Sequence, residues 1–274
     1  MDHCPAPIGL GGRDSIESDG IARIALYGKG GIGKSTVASN VSAALADAGY
    51  RVMQIGCDPK ADSTRLLTGG ERIGTVLERM DPEPSGLEDI SSVGYGGVLC
   101  VECGGPRPGT GCAGRGIMVA LETLDRLGAT ESFKPDAIIY DVLGDVVCGG
   151  FAMPIRSGYA RDVFIVTSGE AMSLYAAGNI ASAVRDLGES GYARLSGVVQ
   201  NSKGISGEDG LVAAAAAGMG ADVVARILRS QTVQDCEAEG VTVVEGRPRS
   251  EQAEAYRSLS KTILERAAPS RGDS

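Results

Sequence analysis

The 274-residue chain has no tryptophan, its aromatics amount to 4%, and no apolar run reaches 18 residues. The last absence excludes a membrane-spanning helix, which needs about 20 consecutive apolar residues. The first twenty residues, MDHCPAPIGLGGRDSIESDG, have neither a basic start nor an apolar core, so they do not read as a secretory signal peptide. They read as a flexible tail, with a second one expected at 268–274, and the chain is expected to be cytoplasmic. No basic tract offsets the net charge of −9, which argues against a nucleic-acid partner. In place of aromatics there are 41 glycines, which suit tight loops and close approach of backbone to a ligand. With 43% apolar and 22% charged residues, the composition fits a soluble globular protein with one large α/β domain over 21–267.

A disulfide framework is also excluded. The seven cysteines (Cys4, Cys57, Cys100, Cys103, Cys112, Cys148 and Cys236) are odd in number, and the chain is not a small secreted scaffold. Metal binding or inert burial is left for most of them.

What is present is organised around GKGGIGKST at 28–36. Gly28, Gly33, Lys34 and Ser35 have the spacing of a phosphate-binding loop, with an apolar run at 21–27 before it and a helix-forming run at 37–48 after it. Gly28, Gly30, Gly31, Ile32 and Gly33 allow backbone N–H groups to close around a phosphate at a helix N-terminus. Lys34 is placed to reach the β- and γ-phosphates, and the Ser35 hydroxyl to ligate Mg²⁺. A second lysine, Lys29, can extend toward phosphates on a neighbouring subunit, which hints at a dimer that sandwiches two nucleotides.

Further strands are expected at 51–55, 98–103, 137–140, 163–167 and 195–200. Helices are expected at 117–127, 171–186, 211–220 and 251–267, with another helix-like segment beginning at 229–237. Repeated strand–helix units with continuous apolar strands predict a mostly parallel sheet with helices on both faces. Ligands in such sheets sit at the carboxyl ends of the strands. Asp58 and Asp62, in GCDPKADST at 56–64, therefore fall near the phosphate site. Asp141, ending a strand, is the natural Walker-B-type carboxylate for Mg²⁺ or its water. The segment 80–97, rich in Asp, Glu, Pro, Ser and Gly, reads as a surface connection with little fixed structure.

Cys112 and Cys148 each follow a strand in a glycine-flanked loop. Two thiolates complete neither an iron–sulfur nor a zinc site, but two copies of the chain would supply four around a two-fold axis. The alternative is a pair of buried structural thiols.

At this point YGKGGIGKST (27–36), GCDPKADST (56–64), GGPRPGTGCAGRG (104–116) and YDVLGDVVCGGFAMPIR (140–156) resemble the nitrogenase iron-protein family and its reductase relatives. The resemblance runs from about residue 21 to 265. It implies a P-loop NTPase fold and a homodimer with one bridging [4Fe–4S] cluster and one MgATP per subunit. It also implies a low-potential ferredoxin or flavodoxin as electron donor, and a separate catalytic component that receives single electrons as ATP is hydrolysed. Residue by residue it implies Cys112 and Cys148 as cluster ligands, and Lys34, Ser35 and Thr36 as phosphate and Mg²⁺ groups. Lys29 is the lysine that crosses the dimer, and Asp58 positions the attacking water or the nearby metal. Asp62 belongs to one switch; Asp141, Gly144 and Asp145 lead through a second to Cys148. Asn201, Gln234 and Glu237 surround the adenosine, and Arg115 lies at the docking face.

The chain departs from that pattern at Cys103, where the family usually has Ser, and at Leu228, where it often has Pro. Cys100 and Cys103 should point to opposite faces of their strand, as structural thiols. The N-terminal tail and the LLTGG at 66–70 lean toward a methylthio-alkane reductase system, and a tetrapyrrole-reducing system is a further alternative. Rival readings are a partitioning ATPase of the same fold, which has no use for Cys112 and Cys148, and an iron–sulfur carrier ATPase, which usually has a close cysteine pair near its C-terminus.

Overall fold

The computed structural model describes residues 20–105, 113–142, 144, 153–156, 158–188 and 193–267. Eight strands form one sheet: β1 (Ala22–Tyr27), β2 (Val52–Gly56), β3 (Ser92–Val93), β4 (Leu99–Glu102), β5 (Ala137–Asp141), β6 (Asp162–Thr167), β7 (Arg194–Asn201) and β8 (Val223–Ile227). Their order is β3-β4-β2-β5-β1-β6-β7-β8. Every pairing is parallel except β3 with β4.

The central strands are apolar on both faces, as a sheet covered twice requires. Along β1, Ala25 and Tyr27 face one core while Ile24 and Leu26 face the other. The first core is closed by α2 (Ala113–Arg126), α3 (Ala129–Phe133), α4 (Met153–Arg156), α5 (Ala171–Gly188) and α6 (Glu208–Gly218). The second is closed by α1 (Lys34–Asp47), α7 (Gln231–Glu239), α8 (Val243–Gly246) and α9 (Glu251–Ala267). No helix among the described residues is long and apolar enough to cross a membrane.

Two features differ from the sequence-based expectation. Strand β8 and helices α3, α4 and α8 join the list of elements, and the segment 80–97 is well structured. Two 3-10 turns, Leu87–Asp89 and Tyr95–Gly97, flank β3 there. Polar side chains account for the order: the Asp89 carboxylate accepts from Ser85 N, Ser85 Oγ and Gly86 N at 2.8, 3.0 and 3.2 Å. The Tyr95 hydroxyl donates to Asp47 at 2.9 Å and ties the segment to α1. Residues that favour turns from composition are here fixed by their own side-chain bonds.

Candidate nucleotide-binding site

Parallel strands β4, β2, β5, β1, β6 and β7 all end on one edge of the sheet, and most of the expected site residues gather there. The loop from β1 to α1 depends on glycine at Gly31 and Gly33, which take φ of 77° and 92°. Gly33 caps α1 with no side chain, so the first-turn N–H groups face outward with the helix dipole behind them. Asn201, at the end of β7, donates from Nδ2 to Ile32 O at 2.7 Å and steadies the loop from the other side.

Lys34, on the first turn of α1, forms an ion pair with Asp141 at the end of β5. Their side chains are 10% and 1% exposed, so the pair is shielded from water. Gly144 lies against the phosphate loop: a Cβ there would overlap the Gly28 carbonyl and come within 3.1 Å of Lys29 Cα. The chain leaving Asp141 therefore touches the loop expected to hold phosphate. Lys29 itself is exposed, and Ser35 is half-buried.

Asp58 is half-buried and accepts from Lys60 N at 2.9 Å; Asp62 is exposed. Ala61 between them adopts φ of 53°, a left-handed conformation that costs a non-glycine residue about 1–2 kcal/mol. The loop leaves on a buried polar network. Ser63 O accepts from Ser39 Oγ on α1 and Gln54 Nε2 on β2, each at 2.9 Å.

Asn201, Gln234 and Glu237 line a cleft of about 270 Å³ beside the phosphate loop, together with Gly33, Thr36 and Leu228. The Thr36 hydroxyl donates to Glu237 across it, joining α1 to α7. Leu228 contributes an exposed apolar wall.

Several contributors lay outside the expected set. The Glu208 carboxylate accepts from Gly169 N, Lys203 N, Gly204 N and Ile205 N, at 2.9–3.3 Å. Burial pushes its proton affinity up, but these four donors outweigh it and hold the group below the usual carboxylate range. It thereby fixes the loop after β7 that carries Ser202 and Lys203 into the cleft. Cys57 and Cys103 meet at the ends of β2 and β4. A hydrogen bond donated to Cys103 and then burial push the Cys57 thiol well up, which keeps it protonated. Cys100 sits in the opposite core, as expected for i and i+3 on a strand, with burial raising its thiol to about 12.

Arg115 is exposed on the first turn of α2. Cys112, Asp145 and Cys148 lie outside the described residues.

Residues 22–271 fit the family model described as 4Fe-4S iron sulfur cluster binding proteins, NifH/frxC family. The chain is 52% identical over 247 residues to the nitrogenase iron protein of Methanospirillum hungatei JF-1, covering 88% of this chain and 87% of that one. Among solved structures it is similar to the Pyrococcus furiosus cell division ATPase MinD, at a TM-score of 0.67 and 24% identity, covering 89% of this chain and 99% of that one. It is likewise similar to a ParA family ATPase from Chlorobium tepidum TLS, at 0.66 and 20%, covering 90% and 98%. These two structures establish the fold, a P-loop NTPase sheet. The match along nearly the whole sequence establishes more: the chain belongs to the nitrogenase iron-protein family of 4Fe–4S iron–sulfur cluster binding proteins.

Proposed function

We propose that the protein is an ATP-dependent electron-transfer protein that delivers single low-potential electrons to a separate nitrogenase or nitrogenase-like catalytic component. The observation that carries this reading is the seat of Gly144 on Gly28 and Lys29, next to the Lys34–Asp141 pair. A γ-phosphate entering there must separate Lys34 from Asp141 and displace the segment that continues toward Cys148. Binding at one loop then moves the other, a switch of the order-and-release kind.

In this reading Lys34, Ser35 and Thr36 take the phosphates and Mg²⁺, with Asp141 on the metal or its water. Asp58 orients the attacking water, Asp62 follows the nucleotide state, and Lys29 reaches across the homodimer. Asn201, Gln234 and Glu237 hold the adenosine. Cys112 and Cys148 from two copies ligate one [4Fe–4S] cluster, which supplies low-potential one-electron chemistry when bound. The electron comes from a ferredoxin or flavodoxin. The glycine cradle, the uncapped α1 N-terminus and the Lys34–Asp141 pair fit a magnesium nucleotide.

Arg115, exposed at the start of the helix that follows Cys112, is the proposed docking contact for an acidic group on the catalytic partner. Charge placed this way fixes register more than it adds affinity. Reversal sets like charges against each other, so Arg115→Glu should abolish co-elution with the partner in anaerobic size-exclusion chromatography, and electron transfer with it, while iron content and nucleotide binding stay intact. The partners to assay are a nitrogenase-type, a methylthio-alkane-reducing and a tetrapyrrole-reducing protein. Undiminished transfer by the variant places docking elsewhere.

A further inference from the structure

We propose that Glu102 is a positioning residue whose ionised carboxylate latches the 56–64 loop at Thr64, and that protonation of Glu102 loosens Asp58 and Asp62. The proposal rests on the reading above that this loop belongs to the ATP site.

Glu102 ends β4 and is fully buried. Its Oε1 accepts twice from one residue, Thr64 N and Thr64 Oγ1, each at 2.7 Å. Its Oε2 has no hydrogen-bond partner among the described residues and lies over Gly56, where a Cβ would overlap it. The carboxylate thus grips both ends of the loop, Gly56 by contact and Thr64 by two bonds. Between them Ala61 is held left-handed, a conformation that persists only when its surroundings fix it. The loop also touches the strand's continuation: a Cβ on Gly105 would meet Pro59 Cβ at 2.5 Å.

A buried carboxylate with one oxygen unpartnered is poised to take a proton. Burial dominates and raises Glu102 to about 7; the Thr64 bonds oppose this, and the charges of Asp141 and Asp62 add to it. The other groups that sense it are Arg72, from the segment after the loop, and Cys100 on its own strand. The sequence has a single histidine, His3, so none in 20–274 can produce a transition in this range. Ionised Glu102 makes two charge-assisted bonds to Thr64, and neutral Glu102 makes weaker ones.

Two readouts test this on the intact homodimer. In nucleotide-free protein, amide exchange of the 56–64 peptide, corrected for intrinsic rates, should be roughly tenfold faster at pH 6 than at pH 8. The transition should centre near 7. Glu102→Gln should exchange at the fast rate throughout. Thr64→Val removes one of the bonds that favour ionisation and should move the transition to higher pH. A merely structural role would instead raise exchange by the same factor at every pH. The KM for MgATP should follow the same profile, with Glu102→Gln equal to wild type at pH 6 and roughly tenfold higher at pH 8. Exchange that is independent of pH in wild type, or a Glu102→Gln profile that retains the transition, overturns the latch. Exchange that behaves as expected in a protein that neither binds nor hydrolyses MgATP would leave the latch standing and overturn the ATP-site reading instead.

Discussion

Lys34→Met keeps the aliphatic stem at the phosphate loop and removes the ammonium. It leaves Asp141, 1% exposed, without its partner. Removing one member of a shielded pair costs about 3–5 kcal/mol, because the remaining charge has lost both water and counter-charge. Unfolding entropy for a chain of 274 residues turns that into a drop of about 5–9 °C in Tm. Lys34→Met/Asp141→Asn removes the orphaned charge too and should recover most of the loss. The assay is calorimetry of the nucleotide-free dimer at fixed protomer concentration. MgATP at about one hundred times its Kd should then add about 2.7 kcal/mol, or about 5 °C, to wild type. It should add nothing to either variant, since both lack the lysine proposed to meet the phosphates. A single variant within 1 °C of wild type by an approximate reading, or one that MgATP stabilises fully, would refute the role given to the pair.

Gly144→Ala drives a methyl into the Gly28 carbonyl, so MgATP hydrolysis should fall at least tenfold by an order-of-magnitude estimate while the nucleotide-free fold survives; steady-state phosphate release checks this. Cys112→Ser and Cys148→Ser should each lose the iron expected of wild type, whereas Cys100→Ser and Cys103→Ser should keep it, because those two thiols are buried in the cores on either face of the sheet; anaerobic iron analysis decides. Glu102 holds its proton up to about pH 7 when folded against an ordinary 4.5, so the folded chain binds the extra proton between those values. The stability this group contributes should be fully present below the ordinary value and be lost, by about 3 kcal/mol, as pH rises through the folded one, and urea titrations of Glu102→Gln should lack that component of the slope.

The phosphate loop was legible in the sequence because its chemistry needs contiguous residues: glycines for the turn, then Lys34 and Ser35 on the first helical turn. Asp141 was legible because the loops of a parallel sheet gather at one edge, whatever their separation along the chain. Asn201, Gln234 and Glu237 were expected together and do share one cleft. Glu102 was not legible. In VLCVEC the cysteines draw attention, and nothing local says that a strand-end carboxylate will be buried against Gly56 and Thr64, 46 and 38 residues away. The meeting of Cys57 with Cys103 escaped for the same reason, since it depends on the β2–β4 register. Segment 80–97 misled because its composition favours turns, while its order comes from Asp89 and Tyr95 finding specific partners. Strand β8 is only five residues long and follows a glycine-containing turn, so its pattern is too short to stand out.

The most direct test of the central claim, a nucleotide-gated cluster shared by two subunits, is the rate at which an external chelator removes iron from anaerobically purified protein. Removal should be slow without nucleotide and with MgADP and much faster with MgATP, with the acceleration absent from Lys34→Gln. Equal rates in all three states of the wild type would contradict it.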